Sequence, residues 1–399
     1  MNPKLETRSS QLVTLLLPFG YMYGQIMRLR ARLYDFGLFK TRCLPCRVIS
    51  IGNLTLGGTG KTPLTIWLAR YLQGKGKKVA IVSRGYKAKN KGTVSVVSDG
   101  RRTLLGSDEA GDEPFMMASS LPGIPLLIGK KRFPVGMRAI ENFSPDVVLL
   151  DDGYQHLALA RNLNLLLLRT VNPFGNGRVF PAGTLREPLS ALRRADAFIL
   201  TYAEEGAGSV MEKQRLFLQE RFPDKPVFVS CCKPISFYLL NETRMSYSDT
   251  KDNENNPPSP PFTKGGNTFS PPLEKDGNSS IPPLEKGDTG GFGGLLAGKK
   301  ALAFCGIAHP ESFRKMLIRL GIDPIDFMDY PDHYDYHRGD LEKIEERAAG
   351  KGAEFIITTE KDAVKIEKPI ESKIPIGVLK TEFIFESDFA PFIDECMGI

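Results

Sequence analysis

The sequence predicts an α/β protein: a parallel sheet covered by helices, with a second, smaller α/β domain behind it. Three features carry that prediction. Apolar runs rich in β-branched or leucine residues recur at 79–82, 126–128, 147–150, 163–168, 198–200 and 227–230, separated by helical or loop segments. Continuous apolar strands of this kind suit a sheet buried on both faces. A strand at 48–51 runs into Gly-Asn-Leu-Thr-Leu-Gly-Gly-Thr-Gly-Lys-Thr-Pro (52–63) and then an amphipathic helix over 64–71, giving strand, glycine-rich turn and helix in succession. From residue 298 the alternation resumes, with strands at 301–304 and 355–358 and helices over 311–320 and 341–349. The expected segments are therefore an N-terminal piece (1–47), a core domain (48–245), an insertion (246–297) and a C-terminal α/β domain (298–399), with a site between the two folded units.

The glycine-rich turn is the most telling stretch. Where a helix begins, its first N–H groups lack intrahelical partners and the dipole is positive, so phosphates bind there, and glycines let them approach the backbone. Thr55, Leu56, Gly57, Gly58, Thr59 and Gly60 would form the cradle, Lys61 would pair with the β- and γ-phosphates, and the Thr62 hydroxyl would bind Mg²⁺. This makes the predicted sheet one of P-loop NTPase type. The general pattern starts with glycine where this chain has Thr55, so the match is imperfect, and a turn that binds nothing is the plain alternative.

Composition sets limits. At 399 residues the chain can build two cores, and 41% hydrophobic with 25% charged residues is ordinary for a soluble protein. The net charge of +7 is concentrated: residues 1–48 hold eight Lys or Arg against Glu6 and Asp35. The nearly neutral remainder argues against a nucleic-acid groove. Six cysteines in a chain of this size do not make a disulfide framework and suit a reducing cytosol. Cys43 and Cys46 form a Cys-x-x-Cys pair, but no second pair lies at zinc spacing, so ordinary thiols are expected there.

Residues 9–27 carry no charge and include Leu15, Leu16, Leu17, Phe19, Tyr21, Tyr23, Ile26 and Met27; Arg28, Arg30 and Arg32 follow at once. Pro18, Gly20 and Gly24 are expected to interrupt the run, which reads as an interfacial helix with arginines on anionic head groups; a core helix and a spanning anchor are the alternatives. In the insertion, Pro-Pro pairs at 260, 271 and 282 repeat every 11 residues, with Lys264, Lys275 and Lys286 in step. Such a stretch buries too little apolar surface to offset chain entropy and is expected to be disordered.

Carboxylates supply the chemistry. The strand at 147–150 ends in Asp151 and Asp152, and in a phosphate-binding protein adjacent acids at a strand end serve Mg²⁺ and the acceptor. The loop Gly-Ser-Asp-Glu-Ala-Gly-Asp-Glu-Pro (106–114) opens a helix, and its Asp112 is placed to accept a proton from a substrate hydroxyl; a solvated helix start is the plain reading. A loop over 172–188, rich in Gly, Pro and aromatics, is long enough to cover a site.

Taken together, these motifs resemble the tetraacyldisaccharide 4'-kinase family, the lipid A 4'-kinases of Gram-negative bacteria. The segments that carry the resemblance are 57–63, Ser-Arg-Gly-Tyr (83–86), Gly-Asp-Glu-Pro (111–114), Asp-Asp-Gly-Tyr-Gln-His (151–156), Pro-Ala-Gly-Thr-Leu-Arg-Glu (181–187), Cys-Gly-Ile-Ala-His-Pro (305–310), Pro-Asp-His (331–333) and Thr-Glu-Lys-Asp-Ala-Val-Lys (359–365). A hydroxyl residue at position 55 looks like the family's own form of the loop. The proline-rich insertion departs from it.

The resemblance implies transfer of the γ-phosphate of ATP, with Mg²⁺, to the 4'-hydroxyl of a tetraacyldisaccharide 1-phosphate, the lipid A precursor, at the cytoplasmic face of the inner membrane. The protein would sit there peripherally, on an anionic surface. It also implies Asp112 as base, assisted by a histidine, best His333 beside Asp332, with His309 as a helix-capping second choice. Lys61, Asp151 and Asp152 would complete the catalytic set, Thr62, Asp151 and Asp152 the metal set. Arg84, Arg132 and Arg186 are candidates for the sugar phosphate or transition-state charge, with Tyr86 and Glu187 beside them on the substrate. A GTP-dependent switch or metallochaperone is the alternative, since Thr-Glu-Lys-Asp (359–362) after a strand is reminiscent of a guanine-reading loop; a scaffold that binds nucleotide without chemistry is a third reading.

Overall fold

A computed structural model describes residues 3–86, 88, 92–205, 208–240, 298–366, 372–386 and 388–399. The proline-rich repeat lies outside the described residues. In chain order the first unit contains α1 (Pro3–Asp35), β1 (Arg47–Asn53), α2 (Lys61–Gly74), β2 (Val79–Ser83), β3 (Ser95–Asp99), α3 (Ser107–Ala110), α4 (Asp112–Ser120) and β4 (Pro125–Ile128). There follow α5 (Arg132–Phe143), β5 (Val147–Asp151), β6 (Leu163–Arg169), β7 (Ala197–Thr201), α6 (Gly208–Arg221) and β8 (Val227–Leu239). The remainder supplies β9 (Ala301–Cys305), α7 (Pro310–Arg319), β10 (Asp326–Asp329), α8 (Arg338–Gly350), β11 (Phe355–Thr359), α9 (Glu360–Ala363), β12 (Ile376–Phe385) and α10 (Phe389–Met397).

All twelve strands among the described residues join one mixed sheet, ordered β10-β9-β11-β12-β8-β7-β6-β1-β5-β2-β4-β3. Pairing is parallel except at β12–β8 and β3–β4. The parallel strands are the predicted apolar runs. Val48, Ile49 and Ile51 of β1 are buried, and so is every residue of β5 from Val147 to Leu150. One face packs on α2, where Ile49 and Ile51 meet Leu64, Leu68 and Leu72; the other packs on α5, where Val48 and Val148 meet Val135 and Ala139. This double cover is what an all-apolar parallel strand requires.

The two expected α/β units share the sheet rather than separate ones. β8 pairs parallel with β7 through Val227–Val229, and β12 crosses back along it antiparallel from Ser230 to Leu239. The last helix returns to the first unit, with Phe389, Ile393 and Met397 in the core that holds α2.

Three strands, β3, β10 and β12, went unread because they lie at edges or carry the alternation of half-buried chain: β10 has no buried residue and β12 turns half-exposed past Leu379. α1 also differs from expectation. It runs through Pro18, Gly20 and Gly24 without a break. Gly20 marks close packing instead: a Cβ there would stand 2.8 Å from the Val179 carbonyl oxygen, whereas one on Gly24 would make an ordinary 3.6 Å contact with Pro188. No helix among the described residues is long and apolar enough to cross a membrane.

Candidate active site

β1 lies between β5 and β6, all parallel, with Ile51 level with Asp151 and Asn53 level with Leu167. The chain leaves β1 toward β2 on one side and later lays β6 on the other. Such a reversal opens a crevice at the carboxyl ends of the strands. A cavity of about 990 Å³ opens there, lined from both units.

The glycine-rich turn forms one wall. Residues 56–62 line the cavity, and α2 begins at Lys61 directly behind Gly60. Gly60 has φ +85, and a Cβ there would come within 2.2 Å of the Phe383 ring, so only glycine fits. The turn is strapped from behind: the Thr201 hydroxyl donates to Thr59 O at 3.0 Å and Arg169 to Gly58 O at 3.2 Å. Thr55 bridges to Leu185, and Leu56 N–H donates to Thr184 O at 2.7 Å. Thr55 therefore pairs through its backbone with the covering loop, is not among the residues lining the cavity, and has no positive φ. That explains the missing glycine: neither a left-handed turn nor a close approach needs one at this position.

Asp151 and Asp152 stand opposite Lys61. The Ser83 hydroxyl donates to Asp151 Oδ2 at 2.8 Å, while Oδ1 is buried without a protein hydrogen bond. Burial, then the charges of Glu113 and Asp152, push the Asp151 carboxyl up to about 6. Asp152 adopts φ +50 and accepts from one Arg186 nitrogen at 2.8 and 2.9 Å, with Lys61 Nζ at 3.6 Å. Burial raises its carboxyl, but Lys61 and Arg186 outweigh that and hold it below the usual range. Adjacent acids thus have opposite settings.

The far wall holds Asp112, the first residue of α4, with Oδ2 3.4 Å from His333 Nδ1. His333 adopts the left-handed φ of +59, donates its backbone N–H to Gly306 O at 3.3 Å, and packs its ring 5.6 Å from that of Tyr86. Lys361 Nζ joins the group, 3.1 Å from Asp332, 3.4 Å from Glu113 and 3.3 Å from His333 Nε2. For Asp112, burial raises the carboxyl, yet the His333 hydrogen bond and the Lys365, His333 and Lys361 charges bring it below its ordinary value.

The remaining predicted residues divide. Arg84 and Tyr86 are exposed and line the cavity. Arg132 also lines it but is buried, donating to Gly129 O at 2.8 Å and Asp151 O at 3.4 Å; burial lowers its guanidinium to about 10. Arg186, expected on the substrate, is held by Asp152. Glu187 is placed elsewhere: it is buried against Arg194 at 2.8 Å, which draws its side chain away, and it is not among the lining residues. His309 reaches the glycine turn, its Nε2 3.7 Å from where a Gly57 Cβ would be.

Sequence reasoning passed over Gln155, His156, Glu113 and Lys361, all of which line the cavity, as do Tyr23, Met27 and Arg30 of α1. The last three recur at helical spacing, a signal available from the sequence. The guanine-reading alternative fails on placement. Asp362 is fully buried, accepting from Gly306 N–H at 3.0 Å and Tyr336 OH at 3.2 Å, and so has no free edge for a base.

Helix-start amides beside an ammonium on one wall, and an acid on a histidine across the gap, suit an attack by a hydroxyl on a nucleotide's terminal phosphate. The class is a kinase of mixed α/β fold. A family model described as tetraacyldisaccharide-1-P 4'-kinase matches residues 12–397, and the chain belongs to that family. It is similar to the tetraacyldisaccharide 4'-kinases of Pelobacter propionicus (40% identity; 96% of this chain, 91% of that one) and Desulfotalea psychrophila (38%; 92% and 93%). It also resembles the solved structure of Aquifex aeolicus LpxK in complex with ATP, at 32% identity and a TM-score of 0.66, covering 97% of this chain and 99% of that one. The chain is thus an ATP-dependent kinase.

Proposed function

We propose that this enzyme moves the γ-phosphate of ATP to the 4'-hydroxyl of a tetraacyldisaccharide 1-phosphate in lipid A synthesis, working as a P-loop kinase. The observation that carries the reading is the shared cavity, where Lys61 and the glycine turn face the hydrogen-bonded Asp112–His333 pair. Residues 56–60 present the α2 amides to the triphosphate, and Lys61 neutralises charge on its terminal phosphates. Asp112 accepts the hydroxyl proton, with His333 orienting the carboxylate. Arg84 and Arg132 stand where anionic groups of either substrate enter, Tyr86 beside them. Arg186 acts through Asp152, and Glu187 braces the loop through Arg194.

Mg²⁺ fits the residues present. Asp151 Oδ1 is a buried acceptor without a protein donor, and the Thr62 hydroxyl lines the same cavity. Among the described residues no group of three or more His, Cys, Asp or Glu makes a self-sufficient metal cage. Mg²⁺ needs only one or two carboxylates and fills its shell with phosphates and water. Thr62, Asp151 and Asp152 would hold the ion, which when bound offsets phosphate charge.

The reading places the enzyme peripherally on the cytoplasmic face of the inner membrane, on its anionic surface. α1 supports this: Leu15, Tyr21, Met22, Ile26 and Leu29 are exposed, while Tyr23, Met27 and Arg30 line the cavity. One helix thereby offers an apolar face to acyl chains and a second face to the site. Residues 48–245 and 298–399 would each supply part of the cavity wall.

Incubation with labelled ATP, Mg²⁺ and detergent-dispersed monophosphorylated tetraacyl disaccharide tests the proposal. Label is expected in the lipid, at the 4' position. Label retained in nucleotide with folded enzyme, or transfer from GTP alone, overturns it.

A further inference from the structure

Behind the Asp112–His333 pair lies a charged side chain that touches neither the cavity nor solvent. Lys365 follows α9, and its side chain is 2% exposed. Its Nζ stands 3.8 Å from Asp112 Oδ2 and 3.6 Å from Asp362 Oδ1 and is without a protein hydrogen bond. The Tyr336 ring lies beneath it, centroid 6.0 Å away. A buried ammonium is costly, and evolution of a mere packing role would favour an apolar stem of the same length.

The carboxylate nearest in sequence does not require this cation. Asp362 already accepts from Gly306 N–H, Tyr336 OH and, at 2.6 Å, the Thr359 hydroxyl. Asp112 is different. Besides Lys365, its oxygen Oδ2 has the long contact to His333, and α4 gives it another acid, Glu113, next in sequence. The groups facing Asp112 are Glu113 from α4, Asp332, His333 and Tyr336 from the loop after β10, and Lys361, Asp362 and Lys365 from α9 and the turn behind it. In that set two cations, Lys361 and Lys365, oppose three carboxylates. Lys361 is engaged with Glu113 and Asp332. Lys365 is left to act on Asp112 through a low-dielectric interior, where charge carries furthest.

We propose that Lys365 is a positioning residue for phosphoryl transfer, its buried ammonium holding the Asp112 carboxylate charged and turned to His333. The inference rests on Asp112 being the base. Without the cation, burial raises the Asp112 carboxyl, so its charged form is reached only at higher pH. The direction agrees: burial raises the Asp112 carboxyl, and the His333 hydrogen bond followed by the Lys365 charge lowers it.

The test is the kcat–pH profile of Lys365→Met, with Asp112→Asn alongside, in the full-length enzyme with ATP, Mg²⁺ and the lipid disaccharide. Lys365→Met is expected to show an acidic limb about one pH unit higher, to lose up to about 10-fold in kcat on the acid side of that limb, and to keep KM for ATP within about two-fold. Lys365→Arg, which keeps the charge, is expected to leave the limb in place. A cooperatively melting Lys365→Met enzyme with native kcat and an unmoved limb overturns the proposal. Should Lys365→Met fail to fold, the Arg variant decides: an upward-moved limb with the charge retained overturns it equally. If Asp112→Asn itself keeps native kcat, the assignment of the base falls; if Asp112→Asn is inactive and Lys365→Met is native-like, only the role of Lys365 falls.

Discussion

The glycine-turn wall of the cavity is made by neighbours: β1, β5 and β6 lie side by side, and their carboxyl ends deliver residues 56–62, Asp151 and Asp152. The opposite wall joins Asp112 to His333 across 221 positions of sequence, at a contact of 3.4 Å. The first wall follows from strand pairing and one tight turn. The second exists only if β8 and β12 carry the C-terminal strands into the same sheet. Local chemistry on one side and tertiary chemistry on the other should therefore fail in different ways.

Removing the Lys61 amine should have the largest effect. Lys61→Ala loses a cation aimed at the phosphates and should lower kcat by about 10³-fold or more. It also removes one of the cations near Asp152, leaving Arg186 in contact and Arg132 close by. The fold should persist, because Lys61 is at the first turn of α2 and its side chain lines the cavity rather than the hydrophobic core. Near-native turnover in a correctly folded variant would remove the glycine-turn wall from the mechanism.

Gly60→Ala should act next, on both stability and nucleotide. Its φ of +85 costs an L-residue about 1–2 kcal/mol, and the new Cβ would press on Phe383 at 2.2 Å. Phe383 belongs to β12, so the clash transmits strain from the local wall to the strand that supports the other one. Melting temperature and ATP affinity should both fall, and adding Phe383→Leu should recover stability more than affinity. Equal melting temperatures for Gly60→Ala and native protein would show that the turn yields freely.

The same contrast governs what the sequence made legible. The strand expected at 48–51 is β1, the helix expected over 64–71 is α2 with an extra turn at its start, and the paired acids do end a buried strand. Periodicity and turn chemistry reach that far because each depends on residues within a few positions. Nothing local announced that Arg186 holds Asp152, that Glu187 turns away to Arg194, or that Asp362 and Lys365 are buried. Those placements depend on which elements meet in space. The unbroken course of α1 was missed for the same reason, Gly20 serving a contact with Val179 and Ala182 that sequence spacing does not contain.

The two histidines sharpen the comparison at the smallest scale. His333 faces carboxylates, Asp112 at 3.4 Å and Glu113 at 3.9 Å. His156, near the other wall, is half-buried, and burial followed by the charges of Arg132, Arg161, Arg30 and Arg84 lowers its ring to about 4. An unfolded His156 takes up a proton below its ordinary value of about 6.5, whereas the folded ring resists until about 4. Folding is therefore unaffected by His156 above pH ~6.5 and loses stability steadily as pH falls from there to ~4. Partial exposure reduces the full effect to about 2 kcal/mol. His156→Gln removes the titration, so its melting temperature should fall less than the native enzyme's between pH 7 and 4.5, with the two curves parallel above pH 7. Curves that stay parallel throughout would mean that the arginines near His156 give way on protonation, and that the charge around this wall is softer than its packing implies.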